Sequence, residues 1–206
     1  MRFTLLSMIH KALRSALSDD IIAAQQLEFN HQNALSNYLS TATAHLDILH
    51  IHAELEDEIL WPLVKENGGE LVRKLETDHV KDAELIEQCR AALRKLENST
   101  SAEDFTQNQI ALIWEFSELL AFNLMHMNIE EQQIHPLLWE KYDDMELQKT
   151  LGLMAGKSPK ELFMPTLALF KKSCSHTELS NWYNSIPKEA PIKGMVAEQL
   201  GFAQVN

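Results

Sequence analysis

A motif that occurs twice constrains this chain more than any other feature. In each copy a histidine precedes a glutamate by four residues, and a Pro-Leu pair follows shortly afterwards. The copies are His52-Ala-Glu-Leu-Glu56, followed by Pro62-Leu63, and His126-Met-Asn-Ile-Glu130, followed by Pro136-Leu137. Residues four apart leave the same face of an α-helix about one turn apart. The motif therefore calls for helices, and two copies facing each other would bring imidazoles and carboxylates together.

Composition agrees with a helical fold and limits the partners. The 206 residues include only six Gly and six Pro, and helix-forming residues dominate. The formal charge of −12 argues against nucleic acid, which needs basic residues to displace counterions. The apolar start is interrupted by His10, Lys11 and Arg14, so it makes a poor export signal, and we expect no stretch long enough to cross a bilayer. We therefore expect a cytoplasmic protein with no nucleic-acid or membrane partner.

Polar and glycine-rich breaks divide the chain into helices. Asn67-Gly68-Gly69 predicts a helix end, Asn98–Ser101 a polar turn, and Asn30–Asn33 a third break. They separate helices over about 3–28, 33–66, 70–97 and 102–144. The prediction is an all-α protein: an up-down-up-down four-helix bundle over residues 1–145. Residues 146–206 form a C-terminal helical extension, either packed on the bundle or in a subunit contact that would make a homo-oligomer.

A comparison of sequence positions places four histidines at the same level along the axis of the predicted bundle. In antiparallel neighbouring helices, residues at one height are equidistant in sequence from the turn between them. The midpoints of neighbouring histidines all fall on or beside predicted turns, for the pairs His10 with His52, His52 with His79, and His79 with His126. The four imidazoles should therefore share a cross-section, with Glu56 and Glu130 one turn away.

Such a cross-section predicts a dinuclear metal site. The predicted ligands are four histidines and two glutamates: His10, His52, Glu56, His79, His126 and Glu130. They suit two ions, each with two histidines, bridged by both carboxylates and by an oxo or hydroxo group. An open position on the metals would admit a small molecule. Nitrogen and oxygen ligands without thiolate favour iron, with manganese or zinc possible.

These residues resemble the hemerythrin-like, or HHE cation-binding, family. The pattern of that family is a lone His on the first helix, His-x-x-x-Glu on the second, His on the third and His-x-x-x-Glu on the fourth. Here it reads His10, His52 to Glu56, Asp78-His79, and His126 to Glu130, covering roughly residues 3–142. The resemblance implies a four-helix bundle whose non-haem di-iron (Fe2+/Fe3+) centre binds O2, NO or related species.

One departure from the family pattern bears on function. The oxygen carriers of the family have a second histidine on the third helix, four residues from the first, whereas Leu75 and Ala83 stand four residues from His79 here. The donor set is therefore more similar to sensory, iron-handling or iron-centre-repair members. The leading hypothesis is a protein that binds or senses O2 or NO. The alternative is a peroxidase-like di-iron enzyme or an iron-centre repair protein.

Two other interpretations of the chain stay open. A ferritin-like site would use Glu-x-x-His pairs, of which Glu28–His31 and Glu76–His79 are present, and Glu76 is also a candidate extra ligand. A plain helical bundle without metal is the other. Asp57 and Glu131, which follow the glutamates of the motif, are either solvated or accept a hydrogen bond from a ligand imidazole.

Overall fold

The computed structural model describes residues 2–202, and this part of the chain is helical with connecting turns. The prediction of an all-α protein is confirmed. Two π-helical turns, Glu56–Leu60 and Glu130–Ile134, each join one α-helix to the next. The α-helices are α1 (Ser7–Gln25), α2 (Gln32–Leu55), α3 (Trp61–Glu97), α4 (Ala102–Ile129), α5 (His135–Lys141), α6 (Asp144–Lys157), α7 (Lys160–Ser173), α8 (His176–Ser185) and α9 (Ile192–Leu200).

Helices α1 to α4 pack around a shared apolar core. Contacts join α1 with α2, α2 with α3, α3 with α4, and α4 with α1. Each helix contributes buried side chains, among them Leu13, Leu46, Leu85 and Phe116. Full burial of one such side chain is worth about 1.5–3 kcal/mol. The repeated apolar residues on one face of each helix therefore hold the four helices together and fix which faces meet.

The turn between the first two helices lies earlier than predicted. Helix α1 ends at Gln25 and α2 begins at Gln32, whereas the sequence predicted the break at residues 30–33. The reason is a contact from another helix: the Gln109 side chain on α4 donates to the backbone carbonyls of Ala24 and Leu27 at 2.6 and 3.0 Å. The first bond adds to the one that the Ala24 carbonyl accepts from the Leu27 N–H, and the second satisfies a carbonyl just beyond the end of the helix.

Gly68 interrupts the third helical stretch. Its backbone leaves the helical region (φ −120°, ψ 24°), so that two helical pieces meet there, and Asp57 before the break contacts His79 after it. The predicted helix end at Asn67–Gly69 is therefore confirmed as a break between these two pieces. Gly68 is buried, and a Cβ at this position would lie 2.7 Å from the Cδ1 atom of Leu137. Glycine allows α3 to approach α5 closely at the bend.

The stretch Ala102–Lys141 is long and apolar enough, by length and composition alone, to cross a membrane. The expectation that no stretch reaches this length is wrong. Several of its side chains, such as Leu112, Phe116 and Leu119, are buried against the neighbouring helices. A core helix of a helical bundle passes the same test, so this stretch by itself does not indicate a membrane protein.

The helices after residue 143 pack against the earlier ones. Asp143 and Glu146 form a capping box at the start of α6, and Leu147 joins an apolar cluster that contains Trp61. Helix α7 contacts α1 and α2 and contributes Leu162 and Leu169 to the main core. The predicted boundary at residue 145 falls inside the first turn of α6, and the division into two parts remains a prediction.

Candidate metal centre

The structure brings the six predicted metal-binding side chains together in two groups that share both glutamates. One group is His10, His52, Glu56 and Glu130, and the other is Glu56, His79, His126 and Glu130. In each group the nitrogen and oxygen atoms lie within 4.8 Å of one another. We call these six residues the His/Glu layer. Its members are between 0% and 8% exposed, so the layer lies inside the protein.

Each glutamate directs one carboxylate oxygen towards each of the two pairs of histidines. Oε1 of Glu56 lies 3.4 Å from His52 Nε2, while Oε2 lies 3.3 Å from His79 Nε2. Oε2 of Glu130 lies 3.4 Å from His10 Nε2, while Oε1 lies 3.0 Å from His126 Nε2. Each carboxylate can therefore contribute an oxygen to both donor groups.

Three of the histidines turn their other ring nitrogen towards a carboxylate outside the layer. His10 Nδ1 lies 2.9 Å from Glu131, and His79 Nδ1 lies 2.8 Å from Asp57. His126 Nδ1 faces Asp78 at 3.6 Å, which is beyond hydrogen-bonding distance. A carboxylate that accepts the Nδ1 proton leaves the Nε2 lone pair free, and this is the usual arrangement around metal-bound histidine.

The π-helical turns begin at the two glutamates of the layer. Glu56 opens the first turn and Glu130 the second, and Pro62 and Pro136 follow in the first turn of the next α-helix. Proline has no N–H for the helical ladder, and a π-helical turn accommodates this by widening the helix locally. Both copies of the motif therefore show the same wide turn.

The charges within the layer depend on one another. Burial raises the pKa of Glu56, but the imidazoles of His52, His10 and His79 outweigh burial and hold it well below its ordinary value. Burial and the charge of Glu56 raise the pKa of Glu130, but the nearby imidazoles of His126 and His79 make the net shift downward. Both carboxylates are therefore ionised and need positive charge beside them.

Without a metal, protons on histidine supply that positive charge. Burial lowers the pKa of His10 and of His79, but their carboxylate partners outweigh it and raise the values to about 9 and about 12. Burial lowers the pKa of His52 to about 4, so its imidazole is neutral. Cations bound between the groups would take over the role of these protons.

The donor atoms fit a bound metal. Both oxygens of Glu56 and of Glu130 are buried and have no partner in hydrogen-bonding geometry within residues 2–202, although imidazole nitrogens lie nearby. A buried carboxylate without such a partner is costly unless a cation compensates it. Imidazole nitrogen and carboxylate oxygen suit iron, manganese and zinc. The layer is therefore able to hold metal ions.

Aromatic and apolar side chains enclose the layer on the side of His79 and His126. The Trp61 ring stacks on His79 with the centroids 5.7 Å apart, and Phe122 stacks on His126 at 5.9 Å. Leu75 and Ala83, the two positions four residues from His79, carry no donor side chain, and Leu75 is fully buried among apolar residues. The third helix therefore contributes one imidazole to the layer.

The remaining candidate ligands lie outside the layer. Glu76 faces Lys65 at 3.6 Å, and Glu28 and His31 are exposed at the turn between α1 and α2. This removes the Glu28–His31 pair on which a ferritin-like site would depend. Asp57 and Glu131 accept hydrogen bonds from histidines, which was one of the two roles that the sequence left open for them.

Two buried histidines outside the layer have roles that the sequence did not reveal. Burial lowers the pKa of His135 and keeps it neutral, so its Nε2 accepts a bond from the backbone N–H of Leu6 at the start of α1, at 3.3 Å. His45 pairs with the buried Asp20 at 2.9 Å. The sequence pattern did not reveal these roles, because the partners come from another part of the chain.

Comparison with known proteins identifies one family. Residues 2–138 match the family described as Hemerythrin HHE cation binding domain. This range contains all six residues of the His/Glu layer and ends within α5. Searches of curated proteins and of solved structures found no match.

Proposed function

Because the chain belongs to the hemerythrin family of HHE cation-binding domains, we propose that its His/Glu layer holds two iron ions and binds a small diatomic ligand, O2 or NO. His10 and His52 hold one ion, and His79 and His126 hold the other. Glu56 and Glu130 bridge the two ions, and an oxo or hydroxo group completes the link. The matched range also supports an up-down-up-down order for the four long helical stretches.

One observation carries the proposal of two ions. Each glutamate has one oxygen near a nitrogen of the first histidine pair and its other oxygen near a nitrogen of the second pair, at 3.0 to 3.4 Å. A single ion would need the donors to converge at one point. Two overlapping groups that share only the carboxylates supply two points.

The side chains around the layer orient the ligands and keep water out. Asp57 and Glu131 hold the rings of His79 and His10 with Nε2 directed inward. Trp61 and Phe122 cover two of the rings with apolar surface. Iron at this position supplies the electrons that reversible binding of O2 or NO needs, and a dry, apolar surrounding favours an uncharged diatomic ligand.

The four-histidine donor set also favours a second candidate function. Neither Leu75 nor Ala83 supplies a fifth imidazole beside His79, which leaves fewer protein ligands than the pattern expected of an oxygen carrier. More open positions suit a redox enzyme that acts on peroxide, or a protein that handles or repairs iron centres. The same six residues would serve either function.

Metal analysis and optical spectra test the proposal. Protein produced with iron should contain about two iron ions per chain. Substitution of His52 or His126 by alanine should lower metal affinity by more than the roughly 10–100-fold that is typical when a residue hydrogen-bonded to a metal ligand is lost. The matched control is His50→Ala, because His50 is partly exposed on the same helix as His52 and pairs with Glu54 outside the layer. Iron content that is unchanged in both variants, or negligible in the unsubstituted protein, would contradict the proposal.

Spectra recorded with O2, NO and peroxide separate the two functions. A stable adduct that disappears when the gas is removed supports binding or sensing. Multiple turnovers with peroxide support the enzyme. These measurements use the iron-loaded protein, and the His52→Ala variant should lose either response.

A further inference from the structure

A cavity of about 650 Å³ lies between the family-matched helices and the helices that follow them. The start of α1 and the face of α2 form one wall, and α6, α7 and α8 form the other. The second wall lies outside the matched range of residues 2–138. The volume falls within the range of about 300–1,000 Å³ that is usual for small-molecule pockets.

The walls of the cavity are mainly apolar. They include Met8, Ile48, Ile51, Leu55, Phe163 and Phe170. Eight Ser, Thr, Asn and Gln residues, among them Asn181 and Asn184, interrupt this surface. Apolar walls with a small number of polar groups bind organic molecules by burial and orient them by hydrogen bonds.

The charged residues of the wall are already paired. Arg2 donates to Asp144 Oδ1 at 2.7 Å and to the backbone carbonyls of Trp139 and Tyr142. Glu178 accepts a bond from Lys11. A charged ligand would have to break one of these pairs. The cavity therefore suits an uncharged molecule.

One residue of the His/Glu layer, His52, lines the cavity. His52 is also the most exposed of the four histidines of the layer, at 8%. We propose that helices α6 to α8 complete a binding pocket for an uncharged, mainly apolar small molecule, which lies against His52. The site is additional to the diatomic site and does not depend on which metal the layer holds.

A neutral fluorescent probe, N-phenyl-1-naphthylamine, tests the pocket in the full-length protein. Its fluorescence should rise and saturate at one probe per chain. Thr166 lines the cavity, so Thr166→Trp should weaken binding at least tenfold. Ala168→Trp is the matched control, because Ala168 is exposed on the same helix and lies outside the cavity, and its affinity should stay within twofold.

A second pair of variants covers the case in which Thr166→Trp does not fold. Ala155 lies at the exposed edge of the cavity, and Ala155→Trp should weaken binding without affecting the core. Its control is Leu153→Trp, which changes an exposed residue of the same helix outside the cavity. Non-saturable binding, or equal affinity in each variant and its control, would overturn the proposal.

Two further measurements test the chemical class and the position of the ligand. An anionic relative of the probe, 8-anilinonaphthalene-1-sulfonate, should bind at least tenfold more weakly, and equal binding would overturn the uncharged class. In the zinc-loaded protein, the neutral probe should shift the NMR signals of the His52 imidazole more than those of His126. Equal shifts, or none, would place the probe elsewhere. Because the titrations can also be done without metal, their outcome is separate from that of the di-iron proposal.

Discussion

At the scale of single residues, the two adjacent acidic side chains of each motif contact different parts of the protein. Glu56 faces the His/Glu layer, whereas Asp57 contacts His79 on the next helix. In the second copy Glu130 faces the layer and Glu131 contacts His10. Consecutive side chains of a helical turn point in different directions, so one carboxylate faces the site and the next faces a neighbouring helix.

Removing a carboxylate that accepts a hydrogen bond from a histidine of the His/Glu layer should weaken metal binding without removing a metal ligand. For Asp57→Ala we expect metal affinity to fall about 10–100-fold, because the His79 ring loses the acceptor that orients it. Competition with a chelator of known affinity measures the change. Glu58→Ala is the control, since Glu58 is exposed and pairs with Lys157. Equal affinities in the two variants would show that Asp57 does not act through His79.

At the scale of elements, close approaches between helices decide where the helices bend and end. The bend at Gly68 coincides with the packing of Leu137 of α5 against α3. At Gly69, the next residue, an added methyl group would meet only the tip of the Arg73 side chain, at 3.9 Å. The sequence alone gives no reason to distinguish the two glycines, whereas the structure places them in different surroundings.

This difference predicts opposite results for two alanine substitutions. Gly69→Ala should raise the free energy of unfolding by up to about 1 kcal/mol, because alanine favours a helix. Gly68→Ala should show no such gain, since its Cβ would lie 2.7 Å from Leu137 Cδ1 and that side chain must move. Urea unfolding of both variants measures the difference. An equal gain at both positions would show that the contact with Leu137 is unimportant.

The contact between α8 and α1 should depend on pH through Glu178. The bond from Lys11 lowers the pKa of Glu178 to about 2, from an ordinary value of 4.5. The contact is therefore strongest above about pH 4.5 and is lost as the pH falls towards 2. The effect is small because the pair is partly exposed.

The emission of Trp182 on the same helix reports this contact. We expect a change in the tryptophan signal between about pH 4.5 and 2 that is absent in Glu178→Gln. Comparison of the two proteins at each pH separates this change from other acid-induced changes. Identical profiles would mean that Glu178 does not hold α8 in place.

At the scale of the whole molecule, the His/Glu layer couples stability to metal. Two ionised, buried carboxylates stand close together, and the charge of Glu56 opposes ionisation of Glu130. Cations bound between them would remove this repulsion. Any ligand that binds only the native state stabilises it, by about 2.7 kcal/mol when the free ligand is at 100 times its Kd.

Removal of the metal should therefore lower the thermal unfolding midpoint. Scanning calorimetry of iron-loaded and chelator-treated protein measures the difference. In Glu130→Gln the midpoint should no longer respond to metal, whereas in Glu118→Gln, which changes an exposed residue of α4, the response should remain. Equal midpoints with and without metal in the unsubstituted protein would contradict a buried cation site.

Much of the fold and of the candidate site followed from local spacing. A histidine and a glutamate four residues apart share a helix face because of the helical period. The equal distances of the four histidines from the turns between their helices predicted the meeting of these side chains. The structure brings them together, and the assignment of metal to them remains a proposal.

Other features depended on how the helices pack, and only the tertiary structure decided them. The end of α1 depends on Gln109, which comes from α4. The partners of Asp57, Glu131 and His135 lie on other helices, and the cavity beside His52 exists only because α6 to α8 fold back on α1 and α2. Helical periodicity determines which face a side chain occupies, whereas its contacts depend on the rotation and spacing of neighbouring helices, which short-range sequence patterns do not encode.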